Sequence, residues 1–195
     1  ADTVRPALQL IKTKPGNKIV SSCFILVRGD EKIAMGDCAI NIDPSEDDLV
    51  EIAIESAKTA KVFGIDPKVA MLSYSTLGSG KGPSVTKVAN ATKKIKEAAP
   101  DLAVEGEIQF DASVSPDVAG IKCPGSPVAG QANTFIFPDI NAGNIGYKIA
   151  SRLGGYTAVG PVLQGLNAPI NDLSRGCTAE EVYSMSIVTA ALSVP

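Results

Sequence analysis

The chain has 195 residues, 45% of them hydrophobic and 20% charged, an ordinary globular composition long enough for one good core or two small ones. A net charge of -3 with scattered Lys and Arg excludes a general attraction for nucleic acid or for an acidic membrane surface. Histidine is absent, which excludes Ser-His-Asp and Cys-His chemistry and the commonest transition-metal ligand, so acid–base work falls to carboxylates, lysine or tyrosine.

Near the start, DTVRPALQ places Arg5 just before Pro6, on its own merely an exposed charge. Residues 19–28 (IVSSCFILVR) and 32–40 (KIAMGDCAI) are β-rich, and the intervening GDE predicts a hairpin turning at Gly29. In residues 43–64, Ser45 is followed three residues later by Asp48, and Leu49, Ile52, Ala53, Ala57 and Ala60 then recur at helical spacing until Gly64. Residues 69–75 (VAMLSYS) read as a buried strand. The glycine-rich TLGSGKGPS then leads to a basic amphipathic helix at about 85–97, with Val85, Val88, Ala89, Thr92 and Ile95 on one face.

Further on come a short strand at 107–110, a polar helix or loop at 116–121, a strand in TFIFPD (134–139), a helix at 144–152 and a strand at 157–163. A last apolar helix runs through YSMSIVTAAL, entered by Thr178-Ala179-Glu180-Glu181, a capping box with Thr178 as N-cap and Glu181 reaching back to it. Strands alternating with helices predict an α/β fold with a largely parallel central sheet and one antiparallel hairpin.

No apolar run approaches the ~20 residues that span a bilayer and nothing resembles a signal peptide, so a cytoplasmic chain is expected. Cys23, Cys38, Cys123 and Cys177 show neither a CxxC pair nor zinc-ligand spacing, so reduced, mostly packed thiols and no metal site are expected.

Three stretches carry candidate chemistry. The loop from Gly78 through Ser79 to Gly82 joins a strand to a helix, where backbone amides could cradle a phosphate. Pro83 breaks the GxGxxG pattern and Gly82 the Walker pattern, so an anion or ligand contact stands beside a plain βα turn. FPDINAGNIGYK ends a strand at Asp139 and carries Asn144, Tyr147 and Lys148 into a helix, at the kind of strand end where open sheets bind ligands. The alternative is Asp139 or Asn144 as a cap, with Tyr147 and Lys148 on a solvated face. Gln109 and Asp111 form a similar, less specific pair. In PINDLSRGCTAEEV, Arg175 is a poor cap at a positive helix N-terminus and makes sense against a bound anion, a phosphate or a carboxylate.

The motifs ADTVRPALQ, VAMLSYSTLGSGKG, GEIQFDA, SPVAGQANTFIFPDINAGNIGYK and GPVLQGLNAPINDLSRGC, in that order, resemble the phosphate acetyltransferase (phosphotransacetylase) family over nearly the whole chain. The resemblance implies reversible conversion of acetyl-CoA and phosphate to acetyl phosphate and CoA through a ternary complex, with coenzyme A as substrate and no metal or other cofactor. It implies a three-layer α/β/α fold of the isocitrate/isopropylmalate dehydrogenase type, with the active site in a cleft between two domains. Residues 1–10 would then belong to the first domain, 11–160 would form the second, and 161–195 would return to pack with the first.

The missing N-terminal half and a second copy in a homodimer are the implied partners. Ser174 and Arg175 are implied to contact CoA or the phosphoryl group and Arg5 to bind phosphate, while Ser79, Asn144 and Tyr147 are candidate substrate contacts. The family's base is an aspartate at the position of Glu181. The glutamate here either serves as base from a shifted pose or shares that work with Glu180. The other reading is a non-catalytic acyl-CoA sensing or oligomerisation module, as in the tails of malic enzymes.

Overall fold

The computed structural model describes residues 4–173 and 176–193. Strands β1 (Ser21–Arg28) and β2 (Glu31–Gly36) form the expected hairpin, with Arg28 opposite Glu31 and Gly29 at φ 59° in the turn. Helix α2 (Glu46–Val62) starts on the Ser45–Asp48 pair. The Asp48 amide donates to Ser45 Oγ at 3.2 Å, and the Ser45 amide donates to Asp48 Oδ2 at 2.9 Å. It ends before Gly64, whose φ of 75° is a left-handed conformation that glycine adopts without steric cost.

The chain continues through β3 (Lys68–Leu72), α3 (Pro83–Ala98), β4 (Ala103–Ile108), α4 (Phe110–Val114), α5 (Pro116–Lys122), β5 (Thr134–Ile136), α6 (Ile140–Arg152), β6 (Thr157–Gln164) and α7 (Ala179–Ala191). Before the hairpin, α1 (Val4–Ile11) was not foreseen. The strand expected at 107–110 lies earlier, because β4 is an edge strand where the polar run AVEGEI is tolerated, and Phe110 already opens α4. Helix α6 begins four residues before the expected start, since Asp139 and not Asn144 caps it.

The six strands are ordered β4-β3-β5-β2-β1-β6. Pairings β4/β3, β3/β5 and β5/β2 are parallel, whereas β1 runs against both β2 and β6. The other five strands therefore end at one common rim, the edge where open α/β sheets place ligands. Side chains alternate between the two faces. Val69, Met71 and Ile136 pack on Leu49, Ile52 and Ala53 of α2 and Val88, Ala91 and Ile95 of α3. On the other face, Phe24, Leu26, Ala70, Leu72 and Phe135 meet Ala112, Cys123, Tyr147 and Ala150. This is the expected three-layer α/β/α arrangement. Helix α7 joins the α2 side, with Met185 and Val188 on Val162 and with Phe63 and Val159 alongside.

The segment after α1 is tied to the rim by a Thr13–Leu166 bridge and by Lys14, whose Nζ lies 2.6 Å from Glu55 Oε2. Lys58 Nζ lies 2.8 Å from the other oxygen of Glu55, whose side chain is only 8% exposed. Burial pushes the Glu55 carboxyl up, but the bonds from Lys14 and Lys58 outweigh it and leave the pKa below the ordinary glutamate value. A depressed folded pKa contributes stability that is present above the unfolded value and lost as pH falls through the folded one. The thermal-midpoint gap between wild type and Glu55→Gln is therefore expected to shrink from about pH 6 to about pH 3, on either side of the carboxylate range. Equal gaps at both would refute the contribution.

Candidate functional site

The rim is built on two buried carboxylates. Asp37, at the end of β2, is 2% exposed, and its Oδ1 accepts from the Ala39 amide at 3.0 Å, the Ile40 amide at 3.2 Å and the Ser22 hydroxyl. Its Oδ2 accepts from the Asn41 amide at 3.0 Å and from Asn41 Nδ2 at 2.6 Å. The turn after β2 is thus wrapped around one side chain.

The second carboxylate is Glu107 on β4, 4% exposed, whose Oε1 accepts from the Gly78 amide at 2.6 Å and from Ser75 Oγ at 2.9 Å. Ser75 Oγ in turn accepts from the Gly80 amide at 2.8 Å, and the Leu77 amide donates to the Glu107 carbonyl at 3.0 Å. Thr76 and Ser79 close a turn on each other, with the Thr76 amide on Ser79 Oγ at 2.9 Å and the Ser79 amide on the Thr76 carbonyl at 3.1 Å. Every backbone N–H from Thr76 to Gly80 is therefore engaged inside the protein. The Ser79 side chain is exposed, and its hydroxyl proton has no acceptor among the described residues. Gln109 and Asp111 both bind Lys122 Nζ at 2.9 Å, and Gln109 also accepts from Thr76 Oγ1.

At the head of α6, Asp139 Oδ1 accepts from the Asn141 amide at 2.9 Å and the Ala142 amide at 3.1 Å, the Asx cap. Asn144 ties the helix to the turn after β2, donating from Nδ2 to the Cys38 carbonyl at 3.0 Å and accepting from Lys148 Nζ at 2.7 Å. Tyr147 is stacked on Phe24 with ring centroids 4.1 Å apart, a packed position and not a solvated one. Burial pushes its phenol above the ordinary tyrosine value.

Glu181 lies elsewhere. Its Oε2 accepts from the Thr178 amide at 2.6 Å while its own amide donates to Thr178 Oγ1 at 3.2 Å, which is the capping box read from the sequence. The side chain is exposed, and Oε1 has no hydrogen bond among the described residues. It faces a cleft of about 400 Å³ between the head of α7 and residues Thr157 to Gly160 of β6, with Leu173, Cys177 and Glu180 on the wall. Thr157 pairs with Val27, at the end of the sheet opposite the rim.

Of the expected site residues, Ser79 and Asn144 thus share the rim, Tyr147 lies one helical turn beyond Asn144, and Glu181 stands at the other end and on the other face. Arg5 is exposed on α1. Ser174 and Arg175 lie outside the described residues. Cys23, Cys38 and Cys123 are buried, and burial pushes the Cys23 thiol up to about 12, whereas Cys177 is partly open. Among the described residues no cluster of Cys, Asp and Glu could hold a metal ion. Asp37 and Glu107 were missed as site-building groups; the available signal was an acidic residue at the end of a β-rich run, in MGD and in GEI.

The chain matches the family model described as phosphate acetyl/butaryl transferase over residues 1–190. It is 61% identical over 191 residues to the phosphate acetyltransferase of Bacillus subtilis, covering 98% of this chain and 59% of that protein. The crystal structure of a phosphotransacetylase from Streptococcus pyogenes superposes with a TM-score of 0.97 at 59% identity, covering 99% of this chain and 59% of that one. A branched-chain phosphotransacylase from Enterococcus faecalis shares the fold with a TM-score of 0.73 at 23% identity, over 90% of this chain and 66% of that one. The chain spans 59% of the length of the Bacillus relative.

Proposed function

Because the chain belongs to the phosphate acetyl/butaryl transferase family, we propose that it is part of an enzyme converting acetyl-CoA and phosphate reversibly into acetyl phosphate and CoA. The observation that carries this reading is 61% identity to a phosphate acetyltransferase across 98% of the chain.

In the direction that consumes acetyl phosphate, a carboxylate takes the proton of the CoA thiol and the sulfur attacks the acetyl carbonyl. A C–S bond forms, and the C–O bond to phosphate then breaks. Glu181 is the proposed base, because its Oε1 is free at the mouth of a cleft while Oε2 holds the cap. Arg175 and Arg5 hold the phosphate, and Ser174 donates to the oxyanion. Ser79, Asn144 and Tyr147 lie at the opposite end of the sheet from Glu181, and Asn144 and Tyr147 shape that rim through their contacts with Cys38 and Phe24. The reaction needs no metal and no cofactor beyond coenzyme A as substrate.

The partner that completes the site is the portion of the relatives' length this chain does not span. In this reading residues 11–164, which take in the whole of β6, form one domain, and α1 and α7 lie against that portion. Exposed apolar side chains on α1 and α7 support this, with Leu10 84%, Tyr183 69%, Ile187 52% and Val182 46% exposed. A homodimer in the cytoplasm is part of the same reading, and no helix among the described residues is long and apolar enough to cross a membrane.

The test joins this chain to the unmatched portion of the Bacillus relative and follows acetyl-CoA formation from acetyl phosphate and CoA. Turnover is expected, and Arg175→Ala is expected to lower kcat/KM by at least about 10²-fold, the usual loss when a charge-stabilising donor is removed. No turnover in the unsubstituted protein would overturn the function, and a normal rate in the variant would overturn the role of Arg175.

A further inference from the structure

Strand β6 is the last in the sheet, so alternate backbone amides on its outer side have no strand to pair with. The amide of Leu163, a residue only 6% exposed, donates instead to Asn171 Oδ1 at 2.8 Å. Asn171 Nδ2 in turn donates at 2.8 Å to Thr189 Oγ1 on α7, and that hydroxyl donates to the Met185 carbonyl at 2.8 Å. One side chain therefore joins the strand edge to the helix. Two residues on, Leu173 packs with Val162, Met185 and Val188, so the segment from Asn171 runs along α7 toward its head. Strand and helix meet at Val162, Met185 and Val188 and are separated near Glu181 by the cleft of about 400 Å³. Asn171 braces the closed end of this wedge.

We propose that Asn171 is a positioning residue which, by tying β6 to α7, sets the width of the cleft and with it the place of Glu181 Oε1. The inference rests on the reading of Glu181 as the base. The apolar contacts of Val162 with Met185 and Val188 are non-directional, so they hold the helix close without fixing where along the strand it stops. A hydrogen bond has a preferred distance and angle, and the two that Asn171 makes fix that register. Serine at position 189 keeps the hydroxyl that Asn171 bonds, whereas valine keeps the shape and loses it.

The experiment measures kcat and both KM values in the joined protein, together with urea midpoints. Asn171→Ala is expected to lower kcat by about 30-fold, within the 10²-fold or so that a misplacement of about 1 Å can cost, and to leave the KM for CoA and for acetyl phosphate within about 3-fold of wild type. Thr189→Val, which cuts only the link to α7, is expected to lower kcat by about 10-fold, and Thr189→Ser to stay within about 3-fold of wild type. The deciding comparison is the double variant. Asn171→Ala combined with Glu181→Gln is expected to turn over within about 2-fold of Glu181→Gln alone, because a brace that acts through Glu181 has nothing left to place, while its urea midpoint falls as in Asn171→Ala. Should Asn171→Ala fail to fold, the same cycle is run with Thr189→Val. Rate losses that multiply in the double variant, a serine variant as impaired as valine, or a wild-type kcat in Asn171→Ala would each overturn the proposal alone. A normal rate in Glu181→Gln would overturn the reading of Glu181 as base and the proposal with it.

Discussion

Glu181→Gln is expected to lower acetyl transfer in the joined protein by about 10²–10⁴-fold, the range for loss of a general base, while leaving stability unchanged within about 0.5 kcal/mol. The separation is possible because Glu181 has two oxygens with different work. Oε2 accepts from the Thr178 amide and completes the cap, and Oε1 faces the cleft without a hydrogen bond among the described residues. Glutamine also fits a capping box, so the substitution removes basicity and keeps the helix start. Glu181→Ala removes both and is expected to lose the rate together with about 1 kcal/mol of stability. Rate assays paired with urea unfolding of the three proteins decide it. A normal rate in the glutamine variant would move the base to another carboxylate, with Glu180 on the same wall the next to substitute.

Asp37→Ala is expected to cost roughly 3–5 kcal/mol, enough to unfold a marginal domain, because five donors converge on one carboxylate that is 2% exposed. The Ser22 hydroxyl and the amides of Ala39, Ile40 and Asn41 would lose their acceptor at once, and the Asn41 side-chain amide would keep only the Val20 carbonyl. Asp37→Asn keeps the shape but turns an NH2 group toward donors on one side, so an intermediate loss of roughly 2 kcal/mol is expected. Urea midpoints measure both. A wild-type midpoint for the alanine variant would show that water replaces the carboxylate without penalty. The turn that Asp37 holds carries the Cys38 carbonyl to which Asn144 bonds, so a fault there would also loosen the head of α6.

Legibility varied with the range of the interaction. The start of α2 at Ser45 and Asp48 and that of α7 at Thr178 and Glu181 were readable because each cap joins residues three apart. The hairpin at Gly29 was readable for the same reason. Helix α1 was not, since Pro6 and the mixed polarity of VRPALQLI give no clear start signal. Strand β4 was displaced because solvent on its outer edge removes the apolar run on which a strand reading depends.

The candidate site divides along the same line. Asn144 and Tyr147 stood out by residue type, but their engagement with Cys38 and Phe24 spans more than a hundred residues and appears only once β1, β2 and α6 pack together. The glycine loop looked like a ligand cradle because its amides could not be assigned partners from the chain order. Glu107, some thirty residues away, supplies one only through the pairing of β3 with β4.

By itself, then, the sequence determined most of the helices and strands, the caps of α2 and α7, and a family membership carried by contiguous motifs, because these depend on residues within a few positions of one another. Tertiary structure alone decided that β5 inserts between β3 and β2, that Glu107 fills the loop, and that Glu181 stands at the end of the sheet away from Ser79 and Asn144. The physical reason is that a buried polar group must find its partner wherever the packed chain brings one, and that partner is set by strand order and not by distance along the sequence.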